Sequence, residues 1–594
     1  MFSSEQWLAN SGADFYNGVA TQSLRMDYGS NPNLNITNSG APTLNTKGTL
    51  SFWYKRGIQG SGTGQHQYLI HTGAGTADNT HMDLKIQTGD VLSIGAYGTT
   101  PFLGTRVLRD GSAWYHIVVA FDSTSGTASE RLIKVYVNGV AQTGTFGAVA
   151  QNQQFPWINA SQAIYIGRHA SVNRPMDGYL AEWNLVDGQA LTPSSFGETK
   201  NGVWIPIKYT GTYGDNGARL KFDQVGVGTA STSTIGADTS GNTNHFTSTN
   251  IVASDCSIID SPENNFCTLN VLESAKKFAD ANQTLMTHSE GNLKFSGGRN
   301  VFGTIGVNSG KWYWEVINTS STVTSVSVSG VITQGTQAQV YGVYYNRNGN
   351  KGLGLLNGGA TESSYGATYT DDDIISVALN MDDNQITFFK NNASQGTITD
   401  ANLAGGDVIA WTQNGANSGT LVGVYNFGAD ASFAGEITAG TETDGTGAVF
   451  KYAPPNLFLS LCTANLPEPT IGPNSDTQAD DYFNTVLYTG TGSSNAITGV
   501  GFQPDWTWIK RRSGDPNAIG NGHNSLYDST RGVTNELYSD LTSGEADNNN
   551  SLTAFGTDGF TVGSEARVNA NNETHVAWNW KANGGTTVTN EAGS

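Results

Sequence analysis

Residues 374–392 read IISVALNMDDNQITFFKNN. Ile374 to Met381 form an apolar run, Asp382-Asp383-Asn384 close it with a short acidic turn, and the next run ends at Phe388-Phe389-Lys390-Asn391. Two short β-prone runs joined by turn residues describe an antiparallel hairpin. The same pattern recurs outward from this stretch. Leu50 to Tyr54, Trp114 to Phe121 and Ile133 to Val137 are further short runs, and the last leads into Asn138-Gly139, a pair suited to a tight hairpin turn. Helical periodicity is almost absent, and Val271 to Ala281 is the best short candidate. The pattern predicts an all-β protein, a chain of antiparallel β-sandwich (jelly-roll) domains.

At 594 residues the chain is several times the usual domain size of about 100–200 residues. Charged residues make up 13%, against about 25% in typical domains, which argues against long solvent-facing helices. The expected division is a jelly roll over 1–200, a β-rich connector over 201–284 and a second sandwich over 285–455. A Pro-rich linker laid extended over the surface follows at 456–480, with Pro467, Pro469 and Pro473, and a Trp-rich β-module occupies 481–594. In that last module Trp506 and Trp508, and again Trp578 and Trp580, alternate along strands, so each pair faces one side of its sheet.

With 30 basic and 50 acidic residues the net charge is −20, a field that repels nucleic acid and anionic membranes. The basic run Lys510-Arg511-Arg512 follows an aromatic strand and reads as a solvated strand end. Three cysteines, Cys256, Cys267 and Cys462, cannot make a disulfide framework and have no zinc spacing. The first residues, MFSSEQWLAN, lack the basic and apolar segments of a signal peptide, and no apolar run reaches membrane-spanning length. A protein made in a cytoplasm, without membrane insertion, is the expectation.

In the first module LSFWYKRG, WYHIVVAFD, IKVYVNGV, IYIGR and DGYLAEWNLVDGQALTP follow one another. This order resembles the concanavalin A-like jelly roll of laminin-G and pentraxin type over about residues 45–200. Within it Trp53, Trp114 and Trp183 are expected to pack between two sheets. The middle module, from GKWYWEV at 310–316 through the hairpin quoted above to Asn426-Phe427-Gly428, resembles a SPRY domain; Asn392 stands where that family usually has Gly. Asn is the next best residue for positive φ, so the hairpin is expected to survive. The resemblance implies a sandwich that binds partners through loops and performs no chemistry. Taken with the Trp-rich module, the arrangement resembles structural proteins of tailed bacteriophages, particularly marine ones, which chain such modules in tail fibres or other virion surfaces. That resemblance implies residence in the virion, other virion proteins and a host-surface glycan as partners, and a homo-oligomer, a trimer by analogy.

The common catalytic constellations are incomplete or missing. No G-x-S-x-G, H-E-x-x-H or phosphate-loop motif occurs. Glu442-Thr443-Asp444 comes nearest to the carboxylate strand of jelly-roll glucanases but has Gly447 in the third acidic position, so a solvated turn is expected. Glu182 and Asp187 also fail the spacing and are expected to face solvent. Sandwiches of the resembled type often hold calcium at a rim, which keeps a structural Ca2+ open. The loop from Asp238 has Thr243 and Thr249 where a calcium-binding helical hand needs Gly and Glu, and Asp371 to Asp373 and Asp382-Asp383 read as turns and strand entries. The nine histidines show no spacing that assembles a metal or general-base site, and His116 reads as a packed or edge residue. Trp157, Tyr213 and Tyr345 lie in turn-rich contexts and are the candidate exposed aromatics for stacking on a sugar. The expectation is a non-catalytic binding protein without cofactor. A purely structural virion protein and a polysaccharide depolymerase are the alternatives.

Overall fold

A computed structural model describes residues 15–57, 66–73, 80–96, 99–272, 286–297, 300–321, 327–333, 340–355, 360–414, 420–467, 479–514 and 522–582. The candidate helix at Val271 to Ala281 lies almost wholly outside the described residues. The fold is nearly all β and built from multiple antiparallel sheets, as the alternating runs imply.

The first sandwich has a seven-stranded sheet centred on Lys47–Arg56, between Gly178–Asp187 and Trp114–Asp122. Its eight-stranded partner includes Thr99–Val107, Val91–Ala96, Met82–Ile86, Gln67–Thr72, Ala163–Ile166 and Asn33–Thr37 in that spatial order. The stretch read as a connector belongs to this sandwich: Ala218–Leu220 pairs with Gly178–Asp187, and Thr247–Thr249 pairs with Asn33–Thr37. Leu220, Phe222, Ile235, Phe246 and Ile251 fill the same core as Leu50, Phe52 and Ile117.

The second sandwich pairs a sheet containing Lys311–Ser321, Ile374–Asn380 and Gln385–Lys390 with one containing Val408–Asn414, Ser327–Thr333 and Tyr341–Asn346. The hairpin expected at 374–392 forms, with Ile375 opposite Lys390 and Asn380 opposite Gln385. Asn384, Asn391 and Asn392 take positive φ of 54°, 47° and 71°, so Asn does serve where Gly is usual. Part of the stretch read as a surface linker is built into the sandwich, while Asn456, Leu457 and Pro467 stay exposed. Leu459–Ser460 adds a parallel strand beside Lys311–Ser321, and Leu461 and Cys462 are buried, because their apolar side chains complete the sandwich.

These two sandwiches share one compact unit, and the C-terminal β-module is a second. Between the two sandwiches Trp53, Trp114 and Tyr179 of the first pack with Tyr313, Ala378 and Phe450 of the second. This corrects the expected position of Trp53 and Trp114. Phe52 and Tyr54 point between the sheets of their own sandwich, so strand alternation turns Trp53 outward, where the second sandwich covers it. Trp183 does pack between the sheets. Arg25, fully buried at the same junction, reaches Asp255 of its own sandwich at 3.0 Å and crosses to Asp430 at 2.7 Å and Glu290 at 3.4 Å. Lys55 reaches Asp260 at 2.7 Å, and that carboxylate also accepts from Trp114 Nε1 at 3.2 Å. Buried charges persist only when paired in this way.

The C-terminal module has a six-stranded sheet ordered Phe483–Thr489, Thr574–Trp580, Trp506–Arg511, Ser525–Asp528, Asn535–Tyr538 and Ala546–Asp547, with a three-stranded sheet beside it. Val486, Ile509, Tyr527, Phe560 and Ala577 form its core. All three cysteines are free and buried, so no disulfide ties the described residues together. No helix among the described residues is long and apolar enough to cross a membrane.

Candidate functional site

Two sheet faces that point away from their own cores concentrate chemistry. The first is on the eight-stranded sheet of the first sandwich. His71 lies opposite Asp83 on one neighbouring strand and Tyr165 on the other. Ile70, Leu84 and Ile164 fill the core, so His71, Asp83 and Tyr165 face outward. The loop after Ala163–Ile166 brings His169 over His71, with ring centroids 3.7 Å apart, and the His81 ring centroid lies 5.4 Å from that of His71. One nitrogen of each of His71, His81 and His169 lies within 4.8 Å of the other two. Among the described residues these are the side chains that could hold a metal ion together.

Neighbours fix the cluster. Asp83 accepts from Lys85 Nζ at 2.8 Å and lies 3.3 Å from His81 Nε2. Gly95, opposite Asp83, leaves the carboxylate its room, since a Cβ there would sit 2.6 Å from Oδ2. Burial, reinforced by His169 and His81, pushes His71 down to about 3, so its ring is neutral. Burial lowers His169 as well. Burial by itself would raise Asp83, but the His81 hydrogen bond and the Lys85 charge outweigh it and hold the carboxyl below its ordinary value.

The second face belongs to the six-stranded C-terminal sheet. Trp506 lies opposite Trp580, Trp508 opposite Trp578, and Phe483 opposite Trp580 from the other side. Val486, Ile509 and Ala577 take the inner face, so alternation sends the four tryptophans and Phe483 outward together. Ring centroids are 4.4 Å apart for Trp506 and Trp580, 4.9 Å for Phe483 and Trp580, and 5.5 Å for Trp508 and Trp578. All four indoles are half-buried, Phe483 is 40% exposed and Leu487 on the same face 63%. Trp508 Nε1 donates to Asn524 Oδ1 at 3.2 Å, which holds its ring. The result is a strip of fixed, partly open aromatic rings.

Residues 28–195 match the model of the concanavalin A-like lectin/glucanases superfamily in its laminin-G form, and residues 311–413 match that of the SPRY domain. The chain contains a laminin-G domain and a SPRY domain. Residues 478–594 match a family described as a domain of unknown function, DUF7483. No curated protein matches the chain. Among solved structures, the SPRY domain of human HERC1 is 15% identical, with 23% of this chain and 88% of that one covered at a TM-score of 0.20. A heptameric SAP-like pentraxin from Limulus polyphemus is 16% identical over 27% and 71% of the two chains, at 0.21. Domains LG4-5 of the mouse laminin alpha1 chain are 8% identical over 76% and 91%, at 0.23.

The three aromatics expected to be exposed are buried. Trp157 lies in the laminin-G core and donates Nε1 to the Met82 carbonyl at 3.0 Å. Tyr213 donates its hydroxyl to Asn184 Oδ1 at 2.7 Å, and Tyr345 packs in the SPRY core against Tyr369 and Phe388. Turn-rich sequence around each hid an apolar ring that the neighbouring sheet covers. Glu182 and Asp187 are likewise buried, not solvent-facing. At a break in register between Ala181 and Asn184, Glu182 comes beside Arg219, which clamps it at 2.7 and 3.0 Å, and Asp187 accepts the amides of Thr43, Leu44 and Asn216. Both carboxylates are structural.

The Asp238 carboxylate accepts amides of Arg219, Ser240 and Asn244, and Asp444 accepts those of Thr446 and Ser460, so both cap turns. His116 is packed, with Nδ1 accepting from Trp204 Nε1 at 2.9 Å and Nε2 2.8 Å from Ser51 Oγ. The histidine cluster itself escaped sequence reading because His169 arrives from a distant loop. The alternation His81-x-Asp83-x-Lys85 was its one local signal.

Proposed function

We propose that this chain is a non-catalytic virion surface or tail fibre protein of a tailed bacteriophage that presents its β-sandwich modules for recognition of host-surface glycan. The observation that carries the reading is the outward strip of Trp506, Trp508, Trp578, Trp580 and Phe483. Fixed, half-exposed rings offer flat apolar surface to the C–H faces of sugar rings at little entropic cost. The laminin-G and SPRY domains support a binding role, since both are lectin-like or binding folds. Their buried carboxylates serve Arg219, Lys55, Arg25 and backbone amides, which favours scaffolding over hydrolysis. Weak single sites would gain avidity from several copies, and a trimer is the proposed assembly.

The test is binding of the purified chain to an array of bacterial surface polysaccharides, with calcium and with chelator, alongside an assay for new reducing ends. Saturable binding that a Trp508→Ala, Trp578→Ala double variant loses is the expected result. Absence of any glycan ligand would favour the structural virion role, in which the strip seats another virion protein. New reducing ends would establish a depolymerase instead.

A further inference from the structure

We propose that His71, His81 and His169 form a binding site for a divalent transition-metal ion of the zinc class on the outer face of the laminin-G domain's eight-stranded sheet. The inference is independent of the glycan reading.

Three observations converge. One nitrogen of each ring already lies within 4.8 Å of the other two, and zinc–nitrogen bonds of about 2.0–2.1 Å need only a modest further closure of the rings. His71 Nε2 and His81 Nδ1 are buried with no hydrogen-bond partner. A buried polar atom left in that state is rare and points to an unfilled function. Finally, His81 Nε2 faces the Asp83 carboxylate at 3.3 Å, which places the ring proton on Nε2 and leaves the Nδ1 lone pair for an ion. A carboxylate behind a histidine is the usual second support of a zinc ligand, and Lys85 and the Gly95 amide fix that carboxylate in turn.

The donor set selects the metal. Three imidazoles without a thiolate suit zinc, cobalt, nickel or copper, whereas calcium and magnesium require oxygen donors. Nδ1 of His169 accepts the amides of Ser171 and Val172 at 3.0 and 3.2 Å, and Nδ1 of His71 accepts that of Ala170 at 3.4 Å, so Nε2 is the edge each turns to the cluster. Loading moves the proton of these two rings from Nε2 to Nδ1, so the metal–nitrogen bonds must outweigh the hydrogen bonds that those backbone amides give up. His81 and His169 are half-buried, not sealed, so an ion has a route of entry and a side on which to carry water or another oxygen ligand.

The experiment is a titration of the tag-free, chelator-stripped full chain with Co2+, read by visible absorption, and with Zn2+, read by calorimetry. The expected result is one ion per chain with the intense bands of tetrahedral cobalt, displaced by zinc and unaffected by excess calcium. His81→Ala and His169→Ala, both at half-buried positions, should each abolish the bands while circular dichroism stays unchanged, and Asp83→Asn should weaken zinc binding by about 10–100-fold. No uptake of either ion by the natural chain, or equal uptake by a folded His81→Ala, His169→Ala double variant, overturns the proposal.

Discussion

The junction between the laminin-G and SPRY domains and the outer face of the C-terminal sheet are both aromatic, yet they do opposite things with their rings. At the junction Trp53, Trp114, Tyr179, Tyr313 and Phe450 are buried and interleaved with Arg25, Lys55 and their carboxylates. On the C-terminal sheet the rings stay half-open and Leu487 is 63% exposed. Aromatic content alone therefore says nothing about role. Enclosure makes one set a joint, and its absence leaves the other available to a ligand.

Stability should separate the two aromatic sets most. Arg25→Ala strips the buried carboxylates of Asp430 and Asp255 of their cation and should destabilise the two-domain unit by about 3–5 kcal/mol in chemical denaturation. Trp53→Ala should lose a comparable amount, about 3–5 kcal/mol, by opening a cavity between the sandwiches. If either loss proves as small as that of a surface substitution, the junction is a loose contact and the contrast fails.

On the strip the effect should move from folding to binding. Trp508→Ala should weaken the proposed glycan binding by about 2 kcal/mol, roughly 30-fold, while unfolding shifts by far less than for Trp53→Ala. A Trp508→Ala chain that unfolds as readily as Trp53→Ala would make the strip a second structural core.

Acid should sharpen the difference further. Burial holds His116, stacked on Trp53 beside the junction, down to about 3 and His288 down to about 4, against 6.5 when unfolded. The unfolded chain thus binds more protons below pH 6.5, and this stability is full above 6.5 and lost as pH falls toward 3, at up to about 1.4 kcal/mol per pH unit for each ring. Glu315 runs the other way. Burial raises it to about 7 from 4.5, so its contribution is present below pH 4.5 and lost as pH rises to 7. The two oppose each other between 4.5 and 6.5, and the acid limb should steepen below about 4.5. His116→Gln should flatten that limb in denaturation curves across pH, whereas Trp508→Ala should leave its slope unchanged.

Legibility in the sequence followed the range of the forces involved. The hairpin at 374–392 was readable because its turn residues and its alternation are local, and the register of Ile375 with Lys390 follows from them. The tryptophan pairs were readable as pairs for the same reason. That Trp506 meets Trp580 across two strands was not, because pairing between distant strands leaves no local mark. The burial of Trp157, Tyr213 and Tyr345 is hidden for the same reason, since exposure depends on what packs above a loop.

An all-β chain with turns at specific Asn and Gly positions is written in the residues themselves, because strand alternation and turn chemistry act over a few residues. Tertiary structure alone decided which face of each strand is sealed. Lys47–Arg56 sends Phe52 into its own sandwich and Trp53 into the next, and nothing within the strand distinguishes the two destinations. It also decided that His169 meets His71 and His81, because only the paired strands and their returning loop bring a residue so distant in the chain within reach of the other two.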